Sequence, residues 1–161
     1  MDNIKALLDT VEEYINQKLE VFHQVRTLTL EQAKVLEIEE VDLQYFEKFL
    51  DTKDQYLQNL NQINEDLSSV LVQNEQLLSS GLEAHKEQIE QIKDKLEQQT
   101  LIGEDIKKIE DSNKKRLNLQ LNIKREGIHS FKKSKKAASK YSQNMSSTHQ
   151  NEMSYFMDRK K

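Results

Sequence analysis

The feature that most constrains this chain is its shortage of residues that end helices. Its 161 residues include no proline and only three glycines. Leu, Glu, Gln and Lys are abundant, and each of them favours a helix. The sequence therefore predicts an all-α fold built from long helices.

Composition narrows the kind of helical fold and the compartment. The length suits one domain, and 35% apolar with 32% charged residues favours narrow apolar seams over a thick layered core. No apolar run approaches the roughly 18 residues of a membrane span, and the first residues lack the layout of a secretory signal. The absence of cysteine fits a reducing compartment. We expect a soluble, cytoplasmic protein without stable membrane insertion.

Charge is divided unevenly along the chain. From Ile128 onward there are eight basic and two acidic residues, which gives +6, whereas the rest of the chain carries −10. An acidic body with a basic tail indicates either self-contact or an acidic partner. A solvated tail that only aids solubility is the alternative.

Apolar residues three and four apart predict three helices, at about 2–37, 43–79 and 82–126. The acidic stretch before Asp42 separates the first two, and Asp42 is the expected N-cap of the second. A continuous helix through Glu40 remains open because no Gly or Pro marks the boundary. The apolar stripe of the first helix consists of Ile4, Leu8, Val11, Ile15, Leu19, Phe22, Val25, Leu28, Ala33 and Leu36.

The second helix has the most regular heptad seam. Lys53, Asn64 and Asn74 share this seam with its leucines, and polar residues at such positions tend to fix register. Ser79, Ser80 and Gly81 are expected to end the helix and to begin an antiparallel hairpin with the third. The apolar seam residues of the second helix are Phe46, Leu50, Leu57, Leu60, Leu67, Leu71 and Leu78. The apolar seam residues of the third helix are Ile89, Ile92, Leu96, Ile102, Ile106, Ile109 and Leu117.

With the first helix alongside, the prediction is an elongated three-helix bundle or coiled-coil hairpin over 1–127. Residues 128–161 would form a basic tail that is partly disordered or contains a short docking helix.

One segment of the third helix has an ambiguous period. Leu117, Leu119, Leu121 and Ile123 alternate strictly with polar residues, which alone indicates a strand. We prefer a helix because no second strand exists to pair with it. On a helix, Leu117 and Leu121 would lie on one side, and Leu119 and Ile123 nearly opposite, so only one pair can join the bundle. The four residues are either buried on both sides, by the chain's own bundle or by a dimer mate, or they form a partner-binding face. We predict Leu117, Leu119, Leu121 and Ile123 as partner-binding residues.

The tail carries apolar anchors that disordered tails usually lack. It is expected to be a short docking element, or else a final helix that folds back on the bundle. The partner-binding residues predicted in the tail are Phe131, Tyr141, Tyr155, Phe156 and Met157.

Nothing in the sequence indicates a catalytic, metal or cofactor site. Glu20 and His23 have the Glu-x-x-His spacing of di-iron bundles, as do Glu126 and His129, but neither pair has an evident inward glutamate partner. No nucleophile triad or glycine-rich phosphate loop can be assembled from these residues. We expect no enzymatic activity, no metal and no cofactor. The acidic body also argues against dedicated nucleic-acid binding by the lysines at 132–136.

The layout resembles the flagellar export chaperones of the FlgN/FliT type. A long first helix ends in an acidic stretch, and the segment from Asp42 to Lys53 looks like the opening of that family's next helix. The ending, with Tyr141 and then the run from Ser154 to Lys161, is similar to tails of members from Gram-positive bacteria.

This resemblance implies a cytoplasmic chaperone for late flagellar subunits, such as hook-associated or filament-cap proteins. It would hold their aggregation-prone terminal helices and deliver them to the export gate or to its ATPase component. A weak homodimer is compatible with this reading. The alternative is a structural coiled-coil protein that oligomerises through the same seams.

Overall fold

The computed structural model describes residues 3–38 and 42–124, with side chains up to Asn122. Nearly all of these residues are helical and no strand occurs among them, which confirms the all-α prediction for this part of the chain. The helices are α1 (Asn3–Leu36), α2 (Leu43–Gln73), α3 (Glu75–Gly81) and α4 (Lys86–Lys124), with a 3₁₀ turn at Leu82–His85.

The boundary between the first two helices lies where the sequence indicates it. The amides of Glu37 and Ile38 close the end of α1 by donating to carbonyls three residues earlier, at 3.2 and 3.3 Å. Asp42 Oδ1 accepts from the amides of Gln44 and Tyr45, at 3.0 and 3.4 Å. Asp42 is therefore the N-cap of α2, as predicted, and a helix that continues without a break from α1 is excluded.

The predicted helix over 43–79 is interrupted at Asn74. This residue leaves the helical region (φ −118°, ψ 24°), and its side-chain Nδ2 donates to the carbonyl of Val70 at 2.8 Å. Asparagine competes with the helix for backbone hydrogen bonds in this way. The short α3 then continues to Gly81, and the chain turns through the 3₁₀ segment, so the third long helix begins at Lys86 and not at residue 82.

Gly81 permits a close approach to the start of α1. A methyl group at this position would overlap the end of the Ile4 side chain. The turn between α3 and α4 therefore packs directly against the first turn of α1.

The three long helices pack side by side, and α1 approaches both α2 and α4 closely. Interhelical pairs join α1 to α4 at an almost constant separation: Glu12 to Lys95, Ile15 to Gln99, and Thr29 to Asn113. A constant separation means that α1 and α4 are parallel. Because α2 runs between them in sequence, it is antiparallel to both.

The core consists of three apolar clusters along this assembly. The first lies around the turn at Gly81 and includes Leu8, Leu71 and Leu96. The second, in the middle, includes Phe22, Leu60 and Ile106. The third and smallest has only three buried members, Leu36, Phe46 and Leu117.

The predicted seam of α2 is confirmed. Its apolar members are buried apart from the half-buried Leu50, and Lys53 and Asn64 are buried with them, whereas Asn74 is only half-buried. The stripe predicted for α1 is wrong at three positions. Leu19, Leu28 and Ala33 are only half-buried, while the neighbouring seam positions hold buried Lys18, Thr29 and Gln32. Ile4 is also half-buried, but it packs against the first cluster.

Candidate partner-binding surface

The end of the molecule where α1 finishes and α2 starts contains the third cluster. We call it the distal end, and it comprises residues 29–38, 42–53 and 110–124. Half-buried Val35, Leu43, Leu50 and Leu121 pack against the cluster. Its apolar core is thin compared with those of the other two clusters.

A buried polar layer separates the distal cluster from the middle of the molecule. Lys53 Nζ lies 3.0 Å from Glu110 Oε1, and both side chains are about nine-tenths buried, with 11% and 9% exposed. Beside this pair, Asn113 Nδ2 donates to the carbonyl of Thr29 at 3.1 Å, and Gln32 is also buried. Burial lowers the pKa of Lys53 from its ordinary value, and the Glu110 carboxylate opposes part of that shift.

Two polar contacts tie the last turns of α4 to the end of α1. Arg116 lies 3.5 Å from Glu37, although both side chains are largely exposed. Gln120 Nε2 donates to the carbonyl of Ile38 at 3.1 Å. Exposed ion pairs of this kind contribute little to stability.

Exposed apolar side chains concentrate at this end. Among the described residues, four of the six large apolar side chains that are exposed lie here: Leu30, Ile38, Tyr45 and Leu119. The other two, Val72 and Leu101, are isolated from them along the chain.

Two of these side chains lie on the edge between α1 and α4, and a third lies on the outer face of α4. Leu30 is one turn after Arg26, which pairs with Asp105 of α4, so Leu30 lies on the side of α1 that faces α4. Ile38 follows the end of α1, and its carbonyl accepts a hydrogen bond from Gln120 of α4. Leu119 precedes Gln120 in the chain but lies nearly opposite the buried Leu117, so its side chain is on the outer face of α4. We call Leu30, Ile38 and Leu119 the edge patch.

The structure resolves the ambiguous period of residues 117–123 in favour of helix. Leu117 is buried in the distal cluster and Leu121 packs against it, whereas Leu119 is 64% exposed. The side chain of Ile123 lies outside the described residues, as does the predicted tail with Phe131, Tyr141, Tyr155, Phe156 and Met157.

A second surface lies on the outer face of α1. It is an open depression of about 550 Å³, bounded on one side by Tyr56 of α2. Half-buried Leu19 and Leu28 contribute apolar surface, and most of the exposed lining surface is apolar, although polar residues such as Glu20 and His23 also line it. The depression is therefore a second exposed apolar surface.

Sequence reasoning missed the buried polar residues of α1 and α4. Lys18, Thr29 and Gln32 follow the same alternating steps of three and four as Val11, Ile15 and Phe22. The signal was therefore present in the spacing, although the residue types concealed it. Gln99, Glu110 and Asn113 occupy the corresponding seam of α4.

Neither a metal cluster nor a membrane span is found in the part of the chain that the structure describes. These residues contain no group of three or more histidines and carboxylates placed to hold a metal ion. None of their helices is long and apolar enough to cross a bilayer. No protein-family model, curated protein or solved structure matches the chain.

Proposed function

We propose that this chain is an elongated three-helix bundle that acts as a non-catalytic cytoplasmic chaperone. It binds a terminal helix of another polypeptide, for which the sequence resemblance suggests late flagellar subunits, namely hook-associated or filament-cap proteins. Binding keeps these subunits from assembling early and holds them for delivery to the export gate. The basic tail contacts the export machinery.

The observation that carries this proposal is the edge patch. Isolated apolar side chains are common on any surface, but exposed apolar residues gathered around one thin core cluster favour an interaction site. The patch lies on the outer surface of two parallel helices. A client helix can lay its apolar stripe against such a surface, with anchors three or four residues apart.

The polar groups near the patch support binding over catalysis. Lys53 and Glu110 pair with each other inside the helix packing, and Asn113 bonds to a backbone carbonyl. These groups are buried inside the helix packing, where they hold the helices in register.

The chain offers a matched pair of leucines for the test. Leu119 is 64% exposed and Leu101 is 66% exposed, and they lie 18 residues apart, which is five full turns on the same outer line of α4. Only Leu119 belongs to the distal end. Leu119→Asp should therefore weaken binding, while Leu101→Asp should not.

The measurement is a fluorescence-anisotropy titration with labelled peptides from the terminal helices of hook-associated and filament-cap proteins. We expect Leu119→Asp to raise the Kd by at least about tenfold, because a charge replaces an anchor in the contact. Far-UV circular dichroism should be unchanged in both variants. Equal Kd values for the two variants, or no binding by any of these peptides to the wild type, would refute the proposal.

A structural coiled-coil protein is the second candidate. The observation in its favour is that α1, α2 and α4 all keep alternating three- and four-residue seams, the spacing typical of coiled coils. These seams are, however, filled by helices of the same chain.

A further inference from the structure

The distal cluster is separated from the rest of the core by groups that gain little from being buried. Lys53 and Glu110 form an ion pair whose mutual attraction is largely offset by the loss of hydration. Asn113 and Gln32 add polar surface to the same layer. Disrupting helix contacts at this layer therefore costs less than disrupting an apolar layer of the same size.

Connectivity determines which element can leave. The ends of α1 and α2 are joined by a short connection, from Leu36 to Leu43. Within the part of the chain that the structure describes, the last turns of α4, residues 111–124, have no such link to either helix. Their described attachments at this end are the burial of Leu117, the packing of Leu121 and the polar bonds of Asn113, Arg116 and Gln120.

We propose that residues 111–124 swing away from α1 and α2 about the Lys53–Glu110 layer, and that a client helix inserts into the opened distal end. The client contacts Leu36, Phe46 and Leu117, which are buried in the closed state. The identity of the client as a helix of an exported protein rests on the proposed function. The opening is a property of this chain alone.

The closed state indicates the chemistry of the client. Leu117 and Leu121 fill the space beside Leu36 and Phe46 from one face of α4. A client helix that takes up this space needs two apolar side chains four residues apart. Its flanking positions would meet the polar layer on one side and solvent on the other.

The test replaces the buried Lys53–Glu110 pair with apolar side chains, and we call this double substitution the locked variant. Lys53→Met combined with Glu110→Leu replaces the buried pair with side chains that pack, a change that often stabilises a buried site. The matched control is Glu12→Leu combined with Lys95→Met, which removes an ion pair of 2.8 Å between α1 and α4 far from the distal end. Both variants are made in the full chain.

Hydrogen exchange read by mass spectrometry reports the opening without any client. In the wild type, amides of residues 111–120 should exchange at least about tenfold faster than amides of α4 near Leu96. The locked variant should slow exchange at 111–120 by about tenfold, and the control variant should not. Equal protection at both places in the wild type, or exchange at 111–120 that does not respond to the lock, overturns the proposal.

The locked variant also distinguishes movement of the whole segment 111–124 from fraying of the last turn of α4. Fraying would affect the last turn alone and would not depend on residues 53 and 110, so a response confined to 121–124 counts against the opening. If the locked variant loses helicity, Asn113→Leu closes the same layer with one change, and the same slowing of exchange is required.

Peptide binding distinguishes this proposal from the proposed function. Using the hook-associated and filament-cap peptides, the locked variant should bind with an association rate at least about tenfold lower than that of the control. Binding at an unchanged rate would show that the client stays on the surface, which overturns the insertion but leaves the chaperone function standing. Exchange that responds to the lock, with no peptide bound, would refute the chaperone function and leave the opening.

Discussion

At the scale of single residues, the Lys53–Glu110 pair places two opposite charges in the interior. Both charges are withdrawn from water, and each is tolerated because the other is 3.0 Å away. Removing one partner leaves the other charge buried without compensation. We expect Glu110→Leu alone to lower the free energy of unfolding by about 3–5 kcal/mol.

The double change provides the control for that prediction. Lys53→Met with Glu110→Leu removes both charges and should be neutral or stabilising by about 1–4 kcal/mol relative to the wild type. Urea denaturation followed by circular dichroism measures both values. A single variant as stable as the double variant would mean that the pair is not buried in solution.

The lowered pKa of Lys53 predicts a specific alkaline behaviour. Desolvation favours the neutral amine in the folded state, so the unfolded chain binds more protons between the lowered pKa and the ordinary value of about 10.4. The free energy of unfolding should therefore rise with pH across that interval. Stability measured against pH should show this rise relative to the double variant, in which it is absent; parallel curves would contradict the burial of Lys53.

Residue identity misled the sequence prediction more than spacing did. The seam of α1 runs through Lys18, Thr29 and Gln32 in regular steps, yet residue type favours the apolar Leu19, Leu28 and Ala33. In α2, the leucine neighbours of the polar Lys53 and Asn64 predict a seam position for both, and both are buried. A period held over several heptads is better evidence of burial than the residue type at one position.

At the scale of elements, the start of α2 depends on Asp42. Its carboxylate accepts two backbone amides that would otherwise lack an intrahelical partner. Asp42→Ala should cost about 1 kcal/mol of unfolding free energy, while Asp42→Asn keeps an accepting oxygen and should cost much less. Chemical denaturation compares the two, and equal losses would show that the cap contributes nothing.

Helix identities could be predicted, but the break between α2 and α3 could not. The seam continues across Asn74 to the buried Leu78, so periodicity gives no sign of an interruption. The break arises because the Asn74 side chain bonds to the carbonyl of Val70, which depends on local geometry. The beginning of α4 could not be predicted either, because the turn at Leu82–His85 is a 3₁₀ helix and its sequence does not differ clearly from that of an α-helix.

At the scale of the whole molecule, the hydrogen-bond and ion-pair partners of the buried polar residues could not be predicted from the sequence. Glu110 lies 57 residues from Lys53, and the α1–α4 hydrogen bonds join residues up to 84 apart. These pairings need the parallel register of α1 and α4, which no single helix encodes. Helical spacing places Leu119 opposite Leu117 but does not decide which of the two faces the bundle, and only the packing shows that Leu119 is the exposed one.

Because the edge patch and the basic tail are separate parts of the chain, we can predict how the tail affects delivery of the client to the export machinery. The edge patch belongs to the helical body, and the predicted tail anchors lie in the basic segment that follows it. Deleting residues 141–161 should leave the Kd for client peptides within about twofold, because no edge-patch residue is removed. Secretion of the client in cells should fall, and a secretion rate equal to that of the full chain would contradict a docking role for the tail.

Size-exclusion chromatography with light scattering, applied to the full chain with and without a client's terminal helical segment, tests the central claim most directly. The chaperone account predicts a monomer or weak dimer alone, and a complex of fixed stoichiometry with the client that Leu119→Asp abolishes and Leu101→Asp preserves. A stable oligomer whose mass does not change on dilution, and which takes up no client segment, would contradict the account and favour the structural coiled coil.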